Sequence, residues 1–151
     1  IGDVSTKKNI FIYLFSFIKF LVENKIHLSK DIKSFYFLKI DENVIIGTGV
    51  NIRANKGQIY IKRNVRIAQN VSLISSNRKK KNIIKNNNLF ESSKIGILIE
   101  EGAFIGCNSV ILPGVKIGAN SIVGAGSIVT KNIPENQVWA GNPAKFISKI
   151  S

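Results

Sequence analysis

Between Ile99 and Val129 a branched aliphatic residue stands at every sixth position: Ile99, Ile105, Ile111, Ile117, Val123 and Val129. Four residues after each of the first five comes a second, mostly small residue: Ala103, Ser109, Val115, Ser121 and Ser127. A helix repeats about every 3.6 residues and a strand every two, so neither gives a period of six. A chain that turns a corner every six residues does, because each short strand then sends one aliphatic to a common axis. The period predicts an all-β solenoid, a β-helix whose interior is a column of stacked Ile and Val.

The same phase extends toward the N-terminus. It starts near Ile40 and runs through Ile46 and Ile52, with Val44 and Val50 in the second position. It slips around Lys56–Gly57, where a turn absorbs extra residues, and resumes at Ile61, Ile67 and Leu73 with Val65 and Val71 in step. Residues 75–94, SSNRKKKNIIKNNNLFESSK, are too polar and basic to stack in a coil and predict a long excursion loop. After Val129, Pro134 and Pro143 interrupt strand pairing and Gly141 permits a tight turn. Phe146, Ile147 and Ile150 then predict one apolar side of a short C-terminal helix capping the stack. Three regions follow: a helical lead-in over 1–38, the β-helix over 39–134 with its excursion at 75–94, and a C-terminal cap over 135–151.

Charge and cysteine usage narrow the chemistry. The 151 residues carry a formal net charge of +13, which attracts phosphorylated or other anionic ligands. Cys107 is the single cysteine, so no intramolecular disulfide forms, and a reducing, cytoplasmic setting is expected. With His27 the single histidine, multi-cysteine zinc sites and multi-histidine metal sites are excluded, and no metal is expected. Asn9–Val22 (NIFIYLFSFIKFLV) is apolar and aromatic but interrupted by Ser16 and Lys19, and falls short of the ~20 residues that span a bilayer. No small-residue cleavage site follows it, so no secretory signal is expected. Two readings stand for it: packing on the β-helix or a neighbouring subunit, or contact with the inner face of a membrane.

The stretch Ala103–Ile147, AFIGCNSVILPGVKIGANSIVGAGSIVTKNIPENQVWAGNPAKFI, resembles the closing part of the hexapeptide-repeat acyltransferases. ILPGV, GAGSIVTK and GNPAK match, in order and spacing, the maltose, galactoside and capsular-polysaccharide O-acetyltransferases of that superfamily. The resemblance implies a left-handed parallel β-helix of triangular section, a homotrimer, and acetyl-CoA lying in a cleft between subunits. It places Gly124 and Ala125 along the pantetheine and thioester, with Phe104 as a flat wall for the cofactor arm and Asn108 beside it. Thr130 and Lys131 would meet the phosphate and adenine end, and Lys145 would add a second cation there.

Members of that family carry a histidine as general base where this chain reads VSLISSNRK, Val71–Lys79. The matching position is Asn77, or Arg78 if the gap moves by one, and asparagine accepts no proton at neutral pH. Either the base has been replaced or another group serves: Glu91, His27, or Cys107 as an acyl-carrying nucleophile. Arg78 and Lys79 begin a basic run that is either a solvated loop tip or a clamp for an anionic acceptor or for cofactor phosphates.

Three functions remain in play. The first is acetyl-CoA-dependent O-acetylation of a sugar hydroxyl on a surface polysaccharide or its precursor, without a nucleic-acid partner. The second is N-acetylation of a nucleotide-linked amino sugar, which needs less help from a base. The third is a catalytically silent trimeric CoA-binding scaffold.

Overall fold

Each hexad ends one short strand and begins a corner, and in the described strands between Ile45 and Val129 buried aliphatics alternate with outward residues. The computed structural model describes residues 27–28, 37–54, 57–75 and 95–151. In the first coil lie β1 (His27–Leu28), β2 (Leu38–Ile40) and β3 (Ile45–Ile46), and in the second β4 (Asn51–Arg53), β5 (Gln58–Ile61) and β6 (Arg66–Ile67). The third holds β7 (Ser72–Ile74), β8 (Ile95–Ile99) and β9 (Phe104–Ile105), and the fourth β10 (Val110–Ile111), β11 (Val115–Ile117) and β12 (Ile122–Val123). β13 (Ile128–Val129), β14 (Gln137–Gly141) and β15 (Ala144–Lys149) close the stack.

The strands form three sheets, one per side of the prism. Sheet A is ordered β1-β4-β7-β10-β13, sheet B β11-β8-β5-β2, and sheet C β15-β14-β12-β9-β6-β3. Pairing is parallel throughout except between β14 and β15. Where the hexads run uninterrupted, Val110 lies on Ile128 and Phe104 on Ile122, three hexads further along. Asn51 instead lies on Ser72, and the extra residues sit at the slip before Gly57. Ser72 lies on Val110, and that longer interval contains the excursion, whose residues 76–94 fall outside the described set.

All six aliphatics from Ile99 to Val129 are buried, and so are the second-position residues Ala103, Ser109, Val115, Ser121 and Ser127. The serine hydroxyls donate to backbone carbonyls of the corners, Ser109 and Ser127 to Gly124 and Ser121 to Pro134. Polar groups inside the stack are thus satisfied, which is what makes their burial tolerable.

The corners turn through residues with left-handed backbone, and Asn or Gly fills each such position, with Gly114 at the A-to-B corner. Asn43, Asn64, Gly102, Asn120 and Asn136 mark the B-to-C corner, and Gly49, Asn70, Asn108 and Gly126 the C-to-A corner. These residue types adopt positive φ at least cost. Amide groups at these positions link successive coils, as from Asn108 to the Gln69 carbonyl and from Gly126 to that of Cys107.

Two expectations need correction. The C-terminal segment forms no helix: Ala144–Lys149 is a strand antiparallel to Gln137–Gly141. β14 continues sheet C by pairing with β12 and would leave a bare edge; Gly141 at φ 104° and Pro143 reverse the chain so that β15 covers it. Trp139 packs partly buried on the end of the core, doing the capping expected of a helix. The lead-in is also not helical throughout, nor does it stop short of the solenoid. His27–Leu28 pairs with Asn51–Ile52 and covers the edge of sheet A, and Leu38 already belongs to β2. Residues 1–26, including the apolar stretch 9–22, lie outside the described residues.

Candidate active site

Phe104 points outward from β9, 40% exposed, while Ile105 beside it is buried. The chain then turns at the C-to-A corner through Gly106, Cys107 and Asn108. Asn108 has φ 58° and its amide donates to Gln69, so part of its role is the turn itself. One coil further on, the same corner is Gly124–Ala125–Gly126. Residues at this corner leave little room for side chains: a Cβ on Gly106 would lie 2.6 Å from the Ala125 nitrogen, and one on Gly124 2.7 Å from the Ala140 Cβ. The result is a column of nearly bare backbone running along the prism.

That column is fastened from inside. Ser109 Oγ donates to the Gly124 carbonyl at 3.0 Å and Ser127 Oγ to the same oxygen at 2.6 Å. Ser127 Oγ also accepts the Gly141 amide at 3.1 Å, and the Gly124 amide donates to Trp139 at 2.8 Å. The C-terminal hairpin is therefore tied to the corner. Through the pairing of Ala140 with Lys145, an exposed lysine stands at the column's end. Asn108, Gly124, Ala125 and Lys145 thus lie along one edge of the molecule, and Phe104 stands on the adjoining outer face of sheet C.

Thr130 and Lys131 do not join them. They follow β13 and lie at the A-to-B corner, on the far side of sheet A from Ala125, both exposed. Ser75, where the excursion departs, marks that same corner two strands below. Gly57 and Gly96 both pack against Ser75 there, and Ser75 Oγ donates to Arg53 O at 2.9 Å. Asn77, Arg78, Lys79 and Glu91 lie outside the described residues, and of His27 the backbone alone is placed, two strands below Ser72 in sheet A.

The serine fastening of Gly124 was missed by sequence reasoning. The small second-position residues were visible, but nothing in their spacing says that two hydroxyls converge on one carbonyl.

Charge is segregated around the prism. Among the described residues every acidic side chain, Asp41, Glu42, Glu100, Glu101 and Glu135, stands at the B-to-C corner. Lysines and arginine answer them there: Lys62 with Glu100 at 2.5 Å, Lys116 with Glu100 at 3.1 Å, and Arg63 with Glu101 at 2.9 Å. The hydrogen bond from Lys62 does most to hold the Glu100 carboxyl below the ordinary glutamate range; partial burial opposes this and Lys116 adds to it. The same bond raises Lys62. An open groove along this corner is lined by Asp41, Glu42, Tyr60, Lys62, Arg63 and Glu101, in which the charges compensate one another. By contrast Arg53 and Lys131 at the A-to-B corner, Lys145 near the C-to-A corner and Arg66 on the outer face of sheet C form no salt bridge with another described residue. The two edges bearing the candidate residues are cationic and the third is neutralised. No group of three His, Cys, Asp or Glu among the described residues could hold a metal ion.

Comparison with known proteins adds the following. Residues 96–131 match the family model described as bacterial transferase hexapeptide (six repeats). The chain is 33% identical over 115 residues to a galactoside O-acetyltransferase of Lactococcus lactis, covering 73% of this chain and 55% of that protein. It is 50% identical over 58 residues to a 2,3,4,5-tetrahydropyridine-2,6-dicarboxylate N-acetyltransferase of Clostridium perfringens, covering 38% of this chain and 25% of that one. A hexapeptide-repeat acetyltransferase of Vibrio cholerae, solved with acetyl-CoA, superposes with a TM-score of 0.67 at 24% identity, covering 83% of this chain and 65% of that one. The chain spans about half the length of the first relative and a quarter of the second. The structural likeness fixes the fold as a left-handed parallel β-helix.

Proposed function

The chain carries the hexapeptide repeat of the bacterial transferases, and on that premise we propose that it is an acetyl-CoA-dependent acetyltransferase acting on a sugar hydroxyl. The observation that carries this reading is the edge on which Asn108, Gly124, Ala125 and Lys145 fall in line, with Phe104 on the face beside it. Bare backbone at Gly124–Ala125 lets an extended thioester arm approach the main chain. Exposed Phe104 gives it an apolar wall, and Lys145 offers a cation for phosphate at the far end. Acetyl-CoA supplies the acetyl thioester, whose carbonyl carbon is attacked by the acceptor oxygen with release of the thiol. The chain's residues hold the arm straight, seat the phosphates and exclude water from the thioester.

Thr130 and Lys131 reach such a ligand in an assembly of copies, where the A-to-B edge of one chain meets the C-to-A edge of the next. A homotrimer is the arrangement we assign, working in the cytoplasm where acetyl-CoA is made. The galactoside O-acetyltransferase relative and the lack of any described carboxylate near this edge pull in different directions. An oxygen acceptor must lose its proton to something, and neither Asn77 nor Arg78 can take it. That second observation favours, as a second reading, an amine acceptor such as the amino group of a nucleotide-linked sugar. Incubation with acetyl-CoA and a panel of glycosides and amino sugars, followed by thiol titration and product analysis, tests both. Ester products support the first reading and amides the second. A chain that fails to bind CoA in calorimetry refutes both.

A further inference from the structure

Arg66 is a cation set in an apolar column. On the outer face of sheet C the pairings place Ile45, Arg66, Phe104, Ile122 and Val138 on successive strands. Their neighbours Ile46, Ile67, Ile105 and Val123 are all buried, so the column itself faces outward. Adjacent members are about 4.8 Å apart along the axis. Ile45 is 59% exposed and Phe104 40%, and Arg66 between them is exposed as well. No described carboxylate pairs with Arg66; all acidic side chains of the described residues stand at the B-to-C corner, where Lys62, Lys116 and Arg63 hold Glu100 and Glu101. A guanidinium among apolar neighbours meets an incoming anion with less competition from protein charges, and its planar fork matches a carboxylate.

Direction along the axis decides which ligand this is. The cofactor residues rise from the β9 coil, with Phe104 and Asn108, through Gly124 and Ala125 to Lys145 on the terminal hairpin. Phosphates therefore lie toward β15, and the thioester ends near Phe104. Arg66 is one strand beyond Phe104 on the opposite side, where the acceptor must come in. We propose that Arg66 selects an acidic sugar as the acceptor, taking its carboxylate in two parallel N–H···O bonds while the ring lies against Ile45 and Phe104. This rests on the acetyl-transfer reading above and names the substrate class of that same site.

Methyl glycosides of glucuronate, galacturonate and N-acetylneuraminate, each beside its own methyl ester, isolate the charge. Binding to the CoA-loaded full chain by calorimetry is compared for the parent protein, Arg66→Ala and Arg66→Lys. At least one acid should bind about tenfold more tightly than its ester, the scale of one charged hydrogen-bond pair. Arg66→Ala should erase that preference and Arg66→Lys keep part of it, with CoA affinity unchanged within about twofold. No preference for any acid, or a preference that survives Arg66→Ala, overturns the proposal. Because binding is read directly, a protein that transfers no acetyl group would sink the parent reading while the same comparison, run without CoA, still judges Arg66.

Discussion

Replacing Gly124 by alanine tests whether the C-to-A corner and the terminal hairpin form one unit. The new methyl would sit 2.7 Å from the Ala140 Cβ, whereas the Ala140 Cα and the Trp139 carbonyl lie at 3.6 Å, in ordinary contact. One atom pair therefore carries the whole conflict. Carbon atoms pack at about 3.5–4.0 Å, so the hairpin must back away by about 1 Å. Such a shift strains the amide of Gly124 from the Trp139 carbonyl and the amide of Gly141 from Ser127 Oγ, now 2.8 and 3.1 Å. Overpacking of this kind costs about 1–3 kcal/mol, and a fall of roughly 4–8 °C in Tm is expected for about 2 kcal/mol. Lys145 moves with the hairpin, so CoA affinity should fall as well. The double change Gly124→Ala with Ala140→Gly removes the offending Ala140 methyl and should restore most of both. Differential scanning calorimetry and CoA titration of the three variants decide the matter. If Gly124→Ala melts like the parent, or if Ala140→Gly rescues nothing, the close approach does not hold the hairpin in place.

Lys131→Ala and Lys145→Ala should each weaken CoA by several-fold to tenfold while leaving desphospho analogues less affected, and isothermal titration at two salt concentrations reads this. Asn77→His should raise turnover by about 10²–10⁴ if the base alone is missing, and steady-state kinetics that stay flat would remove Asn77 from the reaction. Glu100→Gln tests the ion cluster at the B-to-C corner. A carboxyl held below its ordinary range adds stability above the unfolded value and loses it as pH falls through the folded one. The variant should melt roughly one to three degrees lower at neutral pH and converge with the parent once acid has protonated Glu100, small because the partners are screened.

The solenoid was legible because its cause is periodic. Each hexad aliphatic has one possible destination, and all those from Ile46 to Val129 that the period singled out reached it. The slip before Gly57 and the excursion after Ser75 could be placed from the sequence for the same reason, as gaps between stretches that each keep phase. The C-terminal cap has no such repeat. Phe146, Ile147 and Ile150 fit a helical face as well as a strand. What chose the strand was the bare edge of β14, a tertiary fact. His27–Leu28 went unseen because two residues are too short for any period to register, and an edge needing cover again decided.

The site divides along the same line. Residues near one another in sequence, such as Phe104 and Asn108 or Gly124 and Ala125, could be grouped by motif, and the corner holds them together. Arg66 and Phe104 are neighbours through the register of β6 and β9, across an interval that contains the excursion, so no local motif joins them. Thr130 belongs to the same motif as Gly124, yet the turn at Gly126 and the extended run of β13 carry it across sheet A to another edge. A ligand that needs both ends of GAGSIVTK therefore cannot be served by one edge of one chain. Sequence proximity here works against spatial proximity, and on the acetyl-transfer reading proposed above that opposition is the reason for assigning the trimer.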